Sequence, residues 1–283
     1  MQTQTSFLMR FWLIILIICT LAACRPTDKK PIPETVTPEI PAEISSQWWT
    51  PQPGQSLHIQ YEGEVDLSAS VEIFNLDLFE TTPVDIQYLH ARNIKVICYL
   101  NAGGWEDWRP DRDSFPKDII GKKYQGWPGE YWLDIRQFDA LESILGARLD
   151  LCEDKGFDGV EPDNVDGFQN QTGFPLTYED QLRFNRWLAE EAHKRGLGIG
   201  LKNDPDQASE LVTDFDWITT ENCFEEDWCE LVTAFIQAGK PVFAIEYTSN
   251  MEAFNEYCNA SFAEYSTIIQ KNRSLDAWQE TCP

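Results

Sequence analysis

The sequence predicts an α/β chain folded as a single (β/α)8 TIM-type barrel, and three observations carry that prediction. Short β-branched or aromatic runs alternate with helical patterns, which implies strand–helix–strand units and a parallel sheet. Eight such runs follow Trp48, and nearly all turn polar at the same, C-terminal end. Barrel enzymes carry their chemistry at that end. The span from Trp48 to Pro283, with no second linker or repeat, suits one barrel of about 250 residues. An open doubly wound sheet fits less well, because no glycine-rich loop follows the first strand.

The chain opens with Arg10 ahead of an apolar run, Phe11–Ile18, and then Leu21-Ala22-Ala23-Cys24. Residues 1–23 therefore read as a lipoprotein-type signal peptide. The last four residues of this segment resemble a bacterial lipobox, so Cys24 is the expected lipidation site. Residues 24–47 are proline-rich and poor in large apolar side chains, as expected of an extended tether. Residues 48–283 are left as the barrel domain. The expected location is exported and lipid-anchored to a bacterial cell membrane, on its periplasmic or extracellular face. Contact with membrane is expected through that anchor alone, and the domain is expected to be a monomer.

The eight strand runs are SLHIQYEG, VEIFNLDLF, IKVICYLNAG, GVEPDN, LGIGLKN, DWITTEN, PVFAIEYT and STIIQKN. The clearest helix between them is TYEDQLRFNRWLAEEAHKR, from Thr177 to Arg195. Thr177 with Asp180 makes a capping box, and Gly196 supplies the stop. A second, LESILGARLDLCEDKG, ends at Gly156 immediately before the fourth strand. Among the six cysteines after Cys24, Cys223 with Cys229 and Cys258 with Cys282 are disulfide candidates. Cys98, in an apolar run, reads as a buried thiol. No C-x-x-C spacing or histidine cluster is present, so neither a metal nor another cofactor is expected.

The formal net charge is −25 at pH 7. Nucleic acid is excluded as a natural partner by such an excess of acid, and a cationic or neutral polysaccharide is favoured. The strand ends place candidate groups around one rim: Glu62, Asp77, Tyr99, Asn101, Asp163 with Asn164, Lys202 with Asn203, Glu221 with Asn222, Glu246 with Tyr247, and Lys271 with Asn272. In GVEPD, residues 159, 161 and 163 share a face. Glu161 then lies one layer beneath Asp163, with Lys202 its expected partner. Asp163 and Glu221, ending the fourth and sixth strands, make a carboxylate pair of the kind that breaks glycosidic bonds. Trp105, Trp108, Trp127, Trp132 and Tyr131 follow the third strand and offer flat faces for sugar rings. A carbohydrate-binding module without catalysis, or a hydrolase of another α-linked polysaccharide, are the competing readings.

Several blocks carry a family resemblance: VICYLNAGGWEDWRPD, GWPGEYWLDIR, RLDLCEDKGFDGVEPDNVDGF, GLGIGLKND and the segment around Glu221. In order and over the whole barrel domain, they resemble glycoside hydrolase family 114, whose characterised activity is endo-α-1,4-polygalactosaminidase. The resemblance implies a (β/α)8 barrel and Asp163 and Glu221 as the catalytic acidic pair. For the α-linkage a retaining mechanism is expected, with Asp163 as nucleophile and Glu221 as acid/base. It further implies substrate-facing positions at Asp77, Lys202, Asn203, Glu246 and Tyr247. Tyr99, Trp105, Glu161, Asn164 and Asp166 complete the expected substrate-binding set. The sequence departs from the family pattern at Asn101, where a serine is expected, and in the segment after Glu246. Unacetylated galactosamine is an ammonium sugar, to which an acidic groove is complementary.

Overall fold

The computed structural model describes residues 48–260, 262–263 and 266–283. The signal peptide, Cys24 and the tether of the sequence reading lie outside these residues. Eight parallel strands follow the predicted runs: β1 (Leu57–Gln60), β2 (Ile73–Asp77), β3 (Lys95–Asn101), β7 (Gly159–Asp163), β8 (Gly198–Lys202), β9 (Trp217–Glu221), β10 (Val242–Glu246) and β11 (Thr267–Lys271). Each pairs with the next in that order. Between β3 and β7 lies a separate antiparallel sheet, β4 (Gly104–Glu106), β5 (Ile120–Lys123) and β6 (Glu130–Leu133), in the order β4-β6-β5. Helices α1 (Pro83–His90), α2 (Phe138–Lys155) and α3 (Tyr178–Lys194) are the longer connections early in the barrel, with α4 (Ala208–Leu211), α5 (Thr233–Gln237) and α6 (Met251–Cys258) later.

The barrel closes through an element the sequence reading did not anticipate. Strand β12 (Gln279–Thr281) pairs antiparallel with β11, filling the seam toward β1. The Gln279 side chain then does the work of a strand backbone on its other side. Its Nε2 donates to the Leu57 carbonyl at 2.8 Å, and its Oε1 accepts from Ile59 N at 3.4 Å. Cys258–Cys282 ties this last strand to α6, and Cys223–Cys229 closes the loop after β9. Both are the pairs read from the sequence. Cys98 is not a free thiol: it is bonded to Cys152 on α2, stapling β3 to the helix behind it.

The predicted helix ends are present. Thr177 caps α3 with Asp180 in a reciprocal capping box, and Gly156 ends α2 at φ 94°. The outer core packs strands against helices, and a second cluster around Ile59, Ile97, Trp217, Phe243 and Ile269 fills the barrel's interior. Trp217, fully buried, needs space that neighbouring strands supply by omitting side chains. A Cβ on Gly200 would lie 2.1 Å from the Trp217 ring nitrogen, and one on Gly159 would lie 2.9 Å from the ring. The indole plugs the lower barrel, so everything above it faces the C-terminal mouth.

Candidate active site

Three consecutive strands deliver the centre of the site. β7, β8 and β9 end in Asp163, Lys202 and Glu221, and each of these is followed by asparagine in the left-handed region, with φ of 60°, 54° and 55° for Asn164, Asn203 and Asn222. Asparagine tolerates that conformation better than most residues. The repeated turn takes the chain off the strand immediately after the rim residue. Lys202 Nζ lies 3.3 Å from Asp163 Oδ1 and 3.2 Å from Glu221 Oε2. Because both oxygens touch one nitrogen, they can be no more than about 6.5 Å apart. Lys202 is 3% exposed at its side chain, whereas Asp163 and Glu221 keep 20% and 26% open to the mouth.

Burial pulls the Lys202 ammonium down, but Asp163, Glu221 and Glu161 outweigh it and hold its pKa well above the usual lysine range. It stays charged. For Glu221, burial pushes the carboxyl up, and Lys202 together with hydrogen bonds from Tyr247 and Asn203 brings the net direction below the ordinary glutamate value. Tyr247 donates its hydroxyl to Glu221 Oε1, and Asn203 both donates to Oε2 at 3.0 Å and accepts from Glu221 N at 2.8 Å. Tyr99 donates to Asp163 Oδ2 at 2.9 Å, and Tyr61 stacks on Tyr99 with ring centroids 4.0 Å apart. Burial raises all three tyrosines well above their usual range, so they serve as neutral donors.

A second ion cluster stands on the opposite wall, where the β4–β6 sheet meets β2. Arg109 binds Asp77 through two nitrogens, at 2.9 and 2.7 Å. Its Nε also lies 2.8 Å from Glu106 Oε2, an ionic contact whose N–H is not aligned for a hydrogen bond. Asp77 further accepts from the backbone of Phe79 and Glu80 at 2.8 and 3.1 Å. Both glycines after Ala102 let this sheet fold close over the β7 tip. A Cβ on Gly103 would sit 1.7 Å from the Asn164 carbonyl oxygen, and one on Gly104 would sit 2.6 Å from the Asn101 side chain.

Between the clusters, on β6, lies Glu130. It is 6% exposed and lines the cavity, and its Oε1 accepts from both Asn101 and Asn164. Burial first, then Asp163 and Glu106, push its carboxyl up to about 8.

The cavity at the barrel mouth has a volume of about 320 Å³ and is walled by Tyr61, Tyr99, Tyr124, Trp108 and Trp127 as well as the acidic groups. That size lies at the low end for ligand sites. Of the residues read from the sequence, Glu62, Asp77, Tyr99, Trp108, Trp127, Asp163, Asn164, Lys202 and Glu221 line it. Others are placed elsewhere. Trp105 spends its indole N–H on the Arg112 carbonyl at 3.0 Å and meets Tyr131 edge-on, while Trp108 and Trp127 present the aromatic faces. Glu161 is fully buried, and its partners are Thr219 and Tyr61 rather than Lys202, whose ammonium is drawn one layer higher. Glu246, also fully buried, accepts from Phe224 N and Glu225 N at 3.1 and 3.2 Å, orienting the loop that carries Cys223. Asn203 and Tyr247 reach the site by holding Glu221, not by lining the cavity. Asp166 is partly buried beyond the β7 tip, outside the lining, its carboxyl raised to about 6 by burial and by Asp163. Asn101 faces Glu130 and Asn164 instead of the cavity.

Sequence reasoning missed Arg109, Glu106 and Glu130. The i,i+3 spacing of Glu106 and Arg109 was the available signal for the first two. Nothing local marks Glu130, whose role comes from the folding of β6 over the mouth.

A (β/α)8 barrel with its cavity at the C-terminal strand ends has the setting that barrel enzymes use for chemistry, and the acidic and aromatic walls suit a sugar. The chain belongs to glycoside-hydrolase family GH114, whose model matches residues 38–283. It is similar to Ega3 of Aspergillus fumigatus, solved in complex with galactosamine: 37% identity, TM-score 0.80, covering 83% of this chain and 97% of that one. The glycoside hydrolase domain of PelA from Pseudomonas aeruginosa shares the fold, with TM-score 0.65 and 18% identity over 81% of this chain and 98% of the other. A protein of Deinococcus radiodurans is 28% identical over 206 residues, which is 64% of this chain and 65% of the Deinococcus protein. The chain thus spans just under two thirds of that relative's length.

Proposed function

We propose that the protein is an endo-acting, retaining hydrolase of α-1,4-linked galactosamine polymers, with Asp163 as nucleophile and Glu221 as acid/base. The observation that carries this reading is the single Lys202 ammonium shared by the two carboxylates. It keeps one oxygen of each within about 6.5 Å of the other, the lower edge of the 6.5–9.5 Å used for inversion, and this favours retention, where about 5–5.5 Å is usual. In the first step Asp163 attacks the anomeric carbon, the glycosidic C–O bond breaks, and Glu221 passes a proton to the leaving oxygen. Because Lys202 favours the ionised carboxylate, Glu221 must first take that proton from solvent, and only the protonated fraction reacts. In the second, Glu221 takes a proton from water as that water's oxygen attacks the same carbon and releases Asp163. Tyr99, Tyr247 and Asn203 hold the two carboxylates in place for both steps. The galactosamine found in the similar Ega3 complex supports the sugar, and the acidic mouth supports its ammonium form.

The test is incubation with de-N-acetylated α-1,4-galactosamine polymer, following new reducing ends and, by proton NMR, the anomer first released. An α product is expected. Initial release of the β anomer would remove the retaining mechanism, and binding without new reducing ends would leave a carbohydrate-binding module. We further assign the chain to an exported state in which Cys24 bears lipid, residues 24–47 form the tether, and one barrel works as a monomer. Cys24→Ser should move the protein from the membrane fraction to the soluble fraction of a bacterial host. Unchanged partitioning would defeat that assignment.

A further inference from the structure

Apart from Glu62 and Glu80, which are exposed at its rim, the cavity's carboxylates are matched with cations in a way that leaves one over. Asp163 and Glu221 share Lys202, and Asp77 and Glu106 share Arg109. Glu130 is as buried as Asp77 and Glu106 and lines the same cavity, yet no ion pair within the described residues includes it. Its Oε1 is held by two amides, Asn101 and Asn164, which are also bonded to each other at 3.0 Å. Oε2 accepts no hydrogen bond from any described residue. A buried carboxyl with one oxygen fixed and the other unused is oriented for a partner that the described residues do not provide.

We propose that Glu130 is the specificity-determining residue for the substrate's amino group, pairing with the ammonium of a galactosamine unit bound beside Asp163. The assignment rests on the galactosamine reading above and deepens it. With its carboxyl raised to about 8 by burial, by Asp163 and by Glu106, and only partly restrained by Asn164 and Arg109, the free enzyme holds Glu130 as a neutral acid near neutrality. An arriving ammonium supplies the missing countercharge, and Glu130 gives its proton to solvent. An N-acetylated unit carries no such charge and gains nothing there. The same geometry gives Asn101 a purpose: it positions Glu130 rather than touching sugar.

The experiment compares kcat/KM of wild type and Glu130→Gln on de-N-acetylated and fully N-acetylated α-1,4-galactosamine oligomers. The glutamine keeps the shape and hydrogen-bonding size of the side chain. Loss of about 30-fold on the amine substrate, with the acetylated one little changed, is expected. Equal loss on both would make Glu130 a structural support and overturn the proposal, as would no loss on either. If wild type cleaves neither oligomer, the functional reading fails independently of Glu130. Calorimetry of wild type with galactosamine, at mildly acidic pH in buffers of different ionisation enthalpy, covers that outcome and any failure of the variant to fold. Binding with release of a proton is expected, and binding without it, or no binding, overturns the assignment.

Discussion

Two clusters of the same charge pattern, a cation between two carboxylates, face each other across the mouth, and their differences separate holding from reacting. Arg109 grips Asp77 with a planar fork and touches Glu106, all three side chains being under a tenth exposed. Lys202 instead makes two longer contacts, at 3.3 and 3.2 Å, to carboxylates that keep a fifth or more of their surface open. Arginine's rigid geometry suits a permanent joint between the β4–β6 sheet and the barrel, whereas lysine is a point charge on a flexible stem. A point charge can stabilise two carboxylates without occupying the faces they turn to a ligand. Arg109 therefore fixes the wall, and Lys202 holds two carboxylates that stay partly open to the cavity.

The comparison breaks most sharply at the carboxylates themselves. Asp163→Asn and Glu221→Gln should each lower kcat on a galactosamine polymer by at least about 10³-fold with thermal stability nearly unchanged. Near-normal turnover in either variant would remove that residue from the mechanism. Lys202→Met should cost about 10²-fold in kcat/KM and move its alkaline limb to higher pH. The sign follows from the ammonium's effect on Glu221: Lys202 favours the ionised form, so its loss raises that pKa and the protonated acid survives further up the pH scale. A pH profile that fell in height without moving would give Lys202 a purely structural part.

Arg109→Leu should act on stability instead, by about 3 kcal/mol, because it leaves two buried carboxylates without a cation. Denaturant midpoints measure this, and Arg109→Lys should recover only part of it, since the fork is lost. The smallest effect is global. Burial raises Glu130 and Asp204 to about 8, Glu246 to about 7 and Asp166 to about 6. A carboxyl whose folded pKa lies above its unfolded one contributes stability that is complete below about pH 4 and disappears as pH rises through the folded value. The thermal midpoint should consequently be several degrees higher at pH 5 than at pH 8. A midpoint that rose over that interval would show that these groups are not buried as described.

The strands were legible because each is a short apolar run with a polar end, and pattern alone marks both. The rim residues followed from the same ends, since β-strand alternation fixes which side chains point inward. The β4–β6 sheet was not legible: its strands are three or four residues long and rich in glycine and charge, with no period to detect. The antiparallel seam strand was hidden for a related reason, because three residues, Gln279–Thr281, carry no pattern. Trp105 on β4 and Trp108 just after it stand three residues apart, and only the fold decides that Trp108 faces the cavity. Cys98 had no visible partner because Cys152 is on a helix distant in sequence.

What the chain determined by itself is the one-dimensional part: eight strands, their capped helices, and a ring of functional groups at one end, all set by local periodicity and turn chemistry. The tertiary structure decided the pairings. Lys202 had Glu161, Asp163 and Glu221 all within plausible reach, and the strand stagger gave it to the upper two. Glu130 became a cavity acid with no ion-pair partner among the described residues only when an inserted sheet folded over the mouth. Charge partners depend on distances through space, which no spacing along the chain encodes.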